Sequence, residues 1–130
     1  MRWKVLLMGK SSQRKGADGE RELVAILQAE GYEVQRGQSM SFGEVPDLSG
    51  LEGIHIECKR VERLNLWEAM QQATRDALRF GDGDPAVFHR RNRSQWLVSM
   101  PLSAWLKLYK AVFPAQNRAK SRFTGGGDTE

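Results

Sequence analysis

The spacing of apolar positions along the chain marks out three helices and a set of short strands. In GADGERELVAILQAEG, Leu23, Ile26, Leu27 and Glu30 recur at one-face helical spacing, with Glu20 on the same stripe. Asp18 is a candidate N-cap, and Gly31 stands where this helix should close. YEVQRG alternates as a strand with Tyr32, Val34 and Arg36 on one face. GQSMSFGEVP has loop chemistry, and PDLSGLEGIHIECK then reads as a hairpin. A second helix is expected from Leu66 to Phe80, with Leu66, Met70, Ala73, Ala77 and Phe80 as its apolar stripe and Gly81 as its stop. PAVFH and WLVSM read as partner strands around the basic turn HRRNRSQ. Ser103 is the expected cap of a last helix whose stripe is Leu102, Leu106, Tyr109 and Phe113, and Pro114 closes it. The order α, β, β-hairpin, α, β, β, α predicts an α/β fold, a mixed sheet flanked by helices.

Composition narrows the class. A chain of 130 residues with 40% hydrophobic and 28% charged residues suits one globular domain. Lys and Arg outnumber Asp and Glu by 20 to 16, giving +4, and the basic residues are clustered, which favours a polyanionic partner. One cysteine excludes an internal disulfide and a Cys-based zinc site; Cys58 reads as a small buried hydrophobe. The apolar run Val5–Met8 is too short for a signal peptide, and no stretch reaches membrane-spanning length, so a cytoplasmic protein without a membrane partner is expected. Residues 1–15 read as a flexible basic arm in which Met8 offers an alternative start, and residues 115–130 as a disordered tail.

The chemistry concentrates between Pro46 and Lys59. In a strand, residues two apart share a face, so His55, Glu57 and Lys59 project together while Ile54, Ile56 and Cys58 enter the core. Gly50 and Gly53 permit a reversal that brings Asp47 back beside Glu57. Two converging carboxylates with an ammonium two residues on suit a hard divalent cation, which takes oxygen ligands and keeps several waters. Without further context the same residues also describe a solvated charged hairpin, and Glu20 a first-turn glutamate favoured by the helix dipole.

Pro46-Asp47 followed by Glu57-Cys58-Lys59 resembles the PD-(D/E)xK nuclease signature. With RKGADGERELVAILQAEGYEVQRG, IECKR and PAVFHRR added, residues 14–90 resemble the archaeal-type Holliday junction resolvases, and FHRRNRSQWLVSMPLSAWL resembles their phage branch. The resemblance implies a restriction-endonuclease-like fold over residues 16–114. It further implies a homodimer that cuts four-way DNA junctions with Mg²⁺, for which Mn²⁺ would substitute, and no small-molecule cofactor. A phage-encoded chain would work in the host cytoplasm.

Residue by residue, the resemblance implies Glu20, Asp47, Glu57 and Lys59 as catalytic. Asp47, Glu57 and the Cys58 backbone carbonyl are the implied metal ligands, with Glu20 completing the site directly or through water. Lys15, Arg21, Arg36, Ser39, Ser41, Arg90, Arg91 and Arg93 are the expected DNA contacts, and Gln72, or its neighbour Gln71, is a softer candidate on the helix after the lysine. Trp67 reads as a core or dimer-interface aromatic. Two competitors share these residues: a restriction or repair nuclease of the same fold, and a DNA-binding module without catalysis.

Overall fold

Alternation along IHIECKR builds the strand at the centre of the fold. The computed structural model describes residues 2–37 and 45–116, with side chains of the first helix described from Gly16 onward. Central β3 (Ile54–Arg60) runs parallel to β4 (Asp84–Arg90), in register from Ile54 opposite Asp84 to Arg60 opposite Arg90. Antiparallel to β4 lies the short β5 (Leu97–Ser99). Two further strands, β1 (Gln35–Arg36) and β2 (Leu48–Ser49), form a small antiparallel ribbon. The helices are α1 (Arg2–Ala29), α2 (Leu66–Phe80) and α3 (Leu102–Val112).

A parallel pair needs a crossover, and α2 supplies it. Asn65 caps α2 by accepting from the Glu68 N–H, and Gly81 closes it at φ 61°. Its Ala69 and Ala73 pack on Val87 at one face of the sheet. On the other face Leu23 of α1 joins Val34, Leu48, Ile56, Ala86 and Phe88 in the main core. The central strand therefore carries its apolar residues toward α1, and His55, Glu57 and Lys59 toward α2.

Contact with α1 is close. A Cβ on Gly19 would lie 2.8 Å from the Arg60 Cβ, so only glycine lets the helix rest on β3 there. Gly50 is equally constrained: it has φ 125°, and a Cβ would meet the Glu33 carbonyl.

Several expectations need correcting. Helix α1 starts at Arg2, where residues 1–15 read as an irregular arm. That segment is rich in Arg, Lys, Leu and Met and lacks proline, so its helix formers outweigh the single Gly9. Asp18 is consequently interior to the helix and pairs with Arg21 at 3.2 Å instead of capping. Ile26 and Glu30 turn outward, because contact with the core falls on Leu23, Val24 and Leu27. The expected hairpin at Asp47 is a reversal without a ladder: β2 pairs with β1, because Leu48 must fill the core beside Val34. Pro101, not Ser103, precedes α3, and no side chain caps that helix. The α3 stripe faces out as well. Ala104 is its buried residue, while Leu102, Tyr109 and Phe113 are exposed. Trp67 is 82% exposed and so is not a core residue.

Candidate active site

Strand geometry places Glu57 and Lys59 on the α2 face as alternation requires, with Lys59 Nζ 3.6 Å from Glu57 Oε2. Glu57 is 6% exposed. Burial pushes its carboxyl above the ordinary glutamate range; Lys59 opposes this, and the negative charges of Asp47 and Asp76 reinforce it. Asp47 reaches this neighbourhood from the exposed start of β2, and its carbonyl accepts from Gly37 N–H at 2.7 Å. Three acidic groups thus act on one desolvated spot, offset by Lys59 and more weakly by His55. That excess of negative charge, presented on oxygen donors, fits a divalent cation.

The supporting residues sit around this pair. Arg36 Nε donates to Glu20 Oε1 at 3.0 Å, joining β1 to α1. Glu20 projects from the α1 side of the sheet, and its charge is felt at Cys58, one residue from Glu57. Burial, reinforced by Glu20, Glu57 and Glu22, holds the Cys58 thiol up at about 12, so the thiol is inert and uncharged. Gln72 lines the same groove as Lys59, together with Asn65, Glu68 and Ala69. Gln71 instead lies beside Trp67 and Thr74.

The expected DNA contacts divide by environment. Arg91 and Arg93 are exposed in the β4–β5 turn, and Arg93 adopts φ 60°. Arg90 is turned inward: its Nε lies 3.2 Å from Glu22 Oε1 without hydrogen-bond alignment, and its guanidinium sits 6.0 Å from the Trp96 ring. Glu22 also accepts from Trp96 Nε1 at 2.8 Å and approaches Arg60 at 3.6 Å. It thereby separates two arginines that the β3–β4 register sets side by side. Arg21 is exposed beside Asp18. Ser39 and Ser41 lie outside the described residues, as does the side chain of Lys15.

Three residues of this neighbourhood were not singled out by the sequence: Asp76, Asp82 and Glu22. Asp76 lies three positions after Ala73 and seven after Ala69, on the stripe that α2 turns to the sheet. A carboxylate interrupting an apolar stripe was the available signal. His55 is 2% exposed, and its Nδ1 lies 2.9 Å from Asp82 Oδ1.

The family model for the archaeal Holliday junction resolvase, Hjc, matches residues 11–109. Among solved structures, the chain is similar to Hjc of Archaeoglobus fulgidus, a Holliday junction resolvase from an archaeal hyperthermophile. That similarity holds at 25% identity over 66% of this chain and 72% of that one, with a TM-score of 0.50. No curated protein matches the chain. These matches reach the archaeal family and do not single out its phage branch.

Proposed function

The chain belongs to the archaeal Holliday junction resolvase family, and from that premise we propose that Asp47, Glu57 and Lys59 form its cutting centre. The protein is a Holliday junction endonuclease, with the restriction-endonuclease-like fold of that family. The observation that carries the site is the buried Glu57 paired with Lys59 at 3.6 Å under the added charge of Asp47.

Asp47 and Glu57 would hold Mg²⁺, with the Cys58 carbonyl as a further oxygen donor and Glu20 completing the site directly or through water. When bound, such an ion lowers the pKa of its water and offsets charge on the phosphate. Lys59 orients the attacking water and steadies the charge that develops on the phosphate oxygens. Arg36 fixes the Glu20 carboxylate, and Gln72 stands in the groove beside Lys59 to position it or the substrate. Asp47→Asn should bind a four-way junction as tightly as the parent or more so, yet fail to cut it. Cleavage by this variant at near-parental rate in Mg²⁺ would remove Asp47 from the site.

Two strands must be cut to resolve a junction, which favours a two-fold dimer. The exposed face of α3 supports that pairing. Trp105 stacks on Tyr109 with ring centroids 4.9 Å apart, the Phe113 ring follows 5.2 Å from Tyr109 at a tilt of 37°, and Leu102 and Val112 flank them at 70% exposure. Apolar faces of this kind mark protein–protein contacts. Sedimentation at twice the 14.7 kDa chain mass is expected, and a monomer at working concentration would end the dimer reading.

Arg91 and Arg93 are the exposed cations of the β4–β5 turn and are proposed to grip phosphate, joined by Arg21. Each neutralised phosphate contributes about −0.9 to the slope of log affinity against log salt. Replacing Arg91 and Arg93 by alanine should flatten the slope by roughly one to two units and weaken all junction sequences alike. An unchanged slope in a salt titration without metal would return this turn to a solvated surface loop.

A further inference from the structure

Glu57 has a second set of neighbours on the side away from Lys59. One ligand atom from each of His55, Glu57 and Asp76 lies within 4.8 Å of the other two. The His55 ring is oriented by its neighbours: Nδ1 contacts both oxygens of Asp82 at 2.9 and 3.0 Å, and the ring stacks on Phe80 with an interplanar angle of 12°. In the neutral tautomer that donates from Nδ1 to Asp82, Nε2 carries the lone pair. That atom is fully buried and has no hydrogen-bond partner. A buried imidazole nitrogen left open beside two carboxylates is costly unless something fills the gap.

We propose that His55 Nε2, Glu57 and Asp76 form a cation site of mixed nitrogen and oxygen donors that takes a divalent transition-metal ion of the manganese or zinc class. The donor set separates it from a magnesium site: imidazole suits zinc and the later transition metals, and Mn²⁺ accepts it beside carboxylates, whereas Mg²⁺ prefers oxygen and water. The Asp82–His55 contact is the arrangement by which a carboxylate fixes the tautomer and raises the basicity of a ligating histidine. Asp76 enters from α2 and His55 and Glu57 from β3, so an ion here would pin the crossover helix to the central strand. The site shares Glu57 with the cutting centre, but its other ligands, and hence its test, are separate.

The experiment is pulsed electron paramagnetic resonance on the untagged full chain loaded with Mn²⁺ alone. Wild type should show coupling of the manganese to a directly bound ¹⁴N. The chain contains two histidines, so assignment needs two variants. His55→Gln should abolish the coupling and His89→Gln should leave it intact. Should His55→Gln fail to fold, Asp82→Asn serves in its place: it keeps the imidazole and should weaken Mn²⁺ binding by about 10-fold or more. Absence of Mn²⁺ binding, bound Mn²⁺ without nitrogen coupling, or coupling that follows His89 would overturn the proposal. Failure of the cutting centre would show instead as cleavage by Asp47→Asn, with the nitrogen coupling untouched.

Discussion

Glu57→Gln should reduce junction cleavage by about 10²–10³-fold, the scale on which a transition-state stabilising group is lost, and should also make the metal-free protein more stable. The stability gain follows from the sign of the Glu57 shift. Its carboxyl titrates above the ordinary value of 4.5 in the folded chain, so the native state holds this proton more tightly than the unfolded state. Stability from Glu57 is therefore fully present below that ordinary value and is lost as pH rises through the raised one. Glutamine removes the cost of keeping a desolvated charge. The variant should gain ~1 kcal/mol at neutral pH without metal, a rise of roughly 3–5 °C for a domain of this size. The gain should vanish in acid, where both side chains are neutral. Thermal melts at several pH values, run in chelator, measure it. A variant that is less stable than the parent at neutral pH would show that the pairing with Lys59 outweighs the desolvation.

Lys59→Ala should lower cleavage by about 10²–10⁴-fold, the range of a positioned proton-transfer group, while Mg²⁺ binding survives or tightens. An ammonium donates hydrogen bonds and cannot coordinate a cation. Lys59 is moreover the leading influence that holds the Glu57 carboxyl down, so its removal leaves the acidic groups less offset. Single-turnover cleavage and calorimetry with Mg²⁺ separate the two effects. Loss of Mg²⁺ affinity in a folded variant would contradict the role given to Lys59.

Much of this site was legible in the sequence because period-two alternation is a strict geometric rule. Once Ile54, Ile56 and Cys58 face the core, His55, Glu57 and Lys59 have no choice of side. Helix α2 was equally readable, since Asn65 and Gly81 mark its ends chemically and its stripe is regular. The parts that escaped depend on tertiary contact. Nothing local shows that Leu48 would be drawn to β1, or that α1 would continue upstream of Asp18. Alternation puts His55 on the right face, but its burial against Asp82 and its distance to Asp76 come from how α2 lies on the sheet. The inward turn of Arg90 likewise depends on Glu22, which is distant in sequence. The α3 stripe was found by periodicity, which reports a common face but not whether that face meets this chain or another.

The Asp47–Glu57–Lys59 centre should cut four-way junctions selectively. Its most direct test is strand cleavage by the purified chain in Mg²⁺, on a labelled four-way junction and on linear duplex of the same sequence. Paired nicks in the junction, none in the duplex, and none in either substrate with chelator are the expected result. Equal cutting of both substrates, or cutting that persists in chelator, would contradict it.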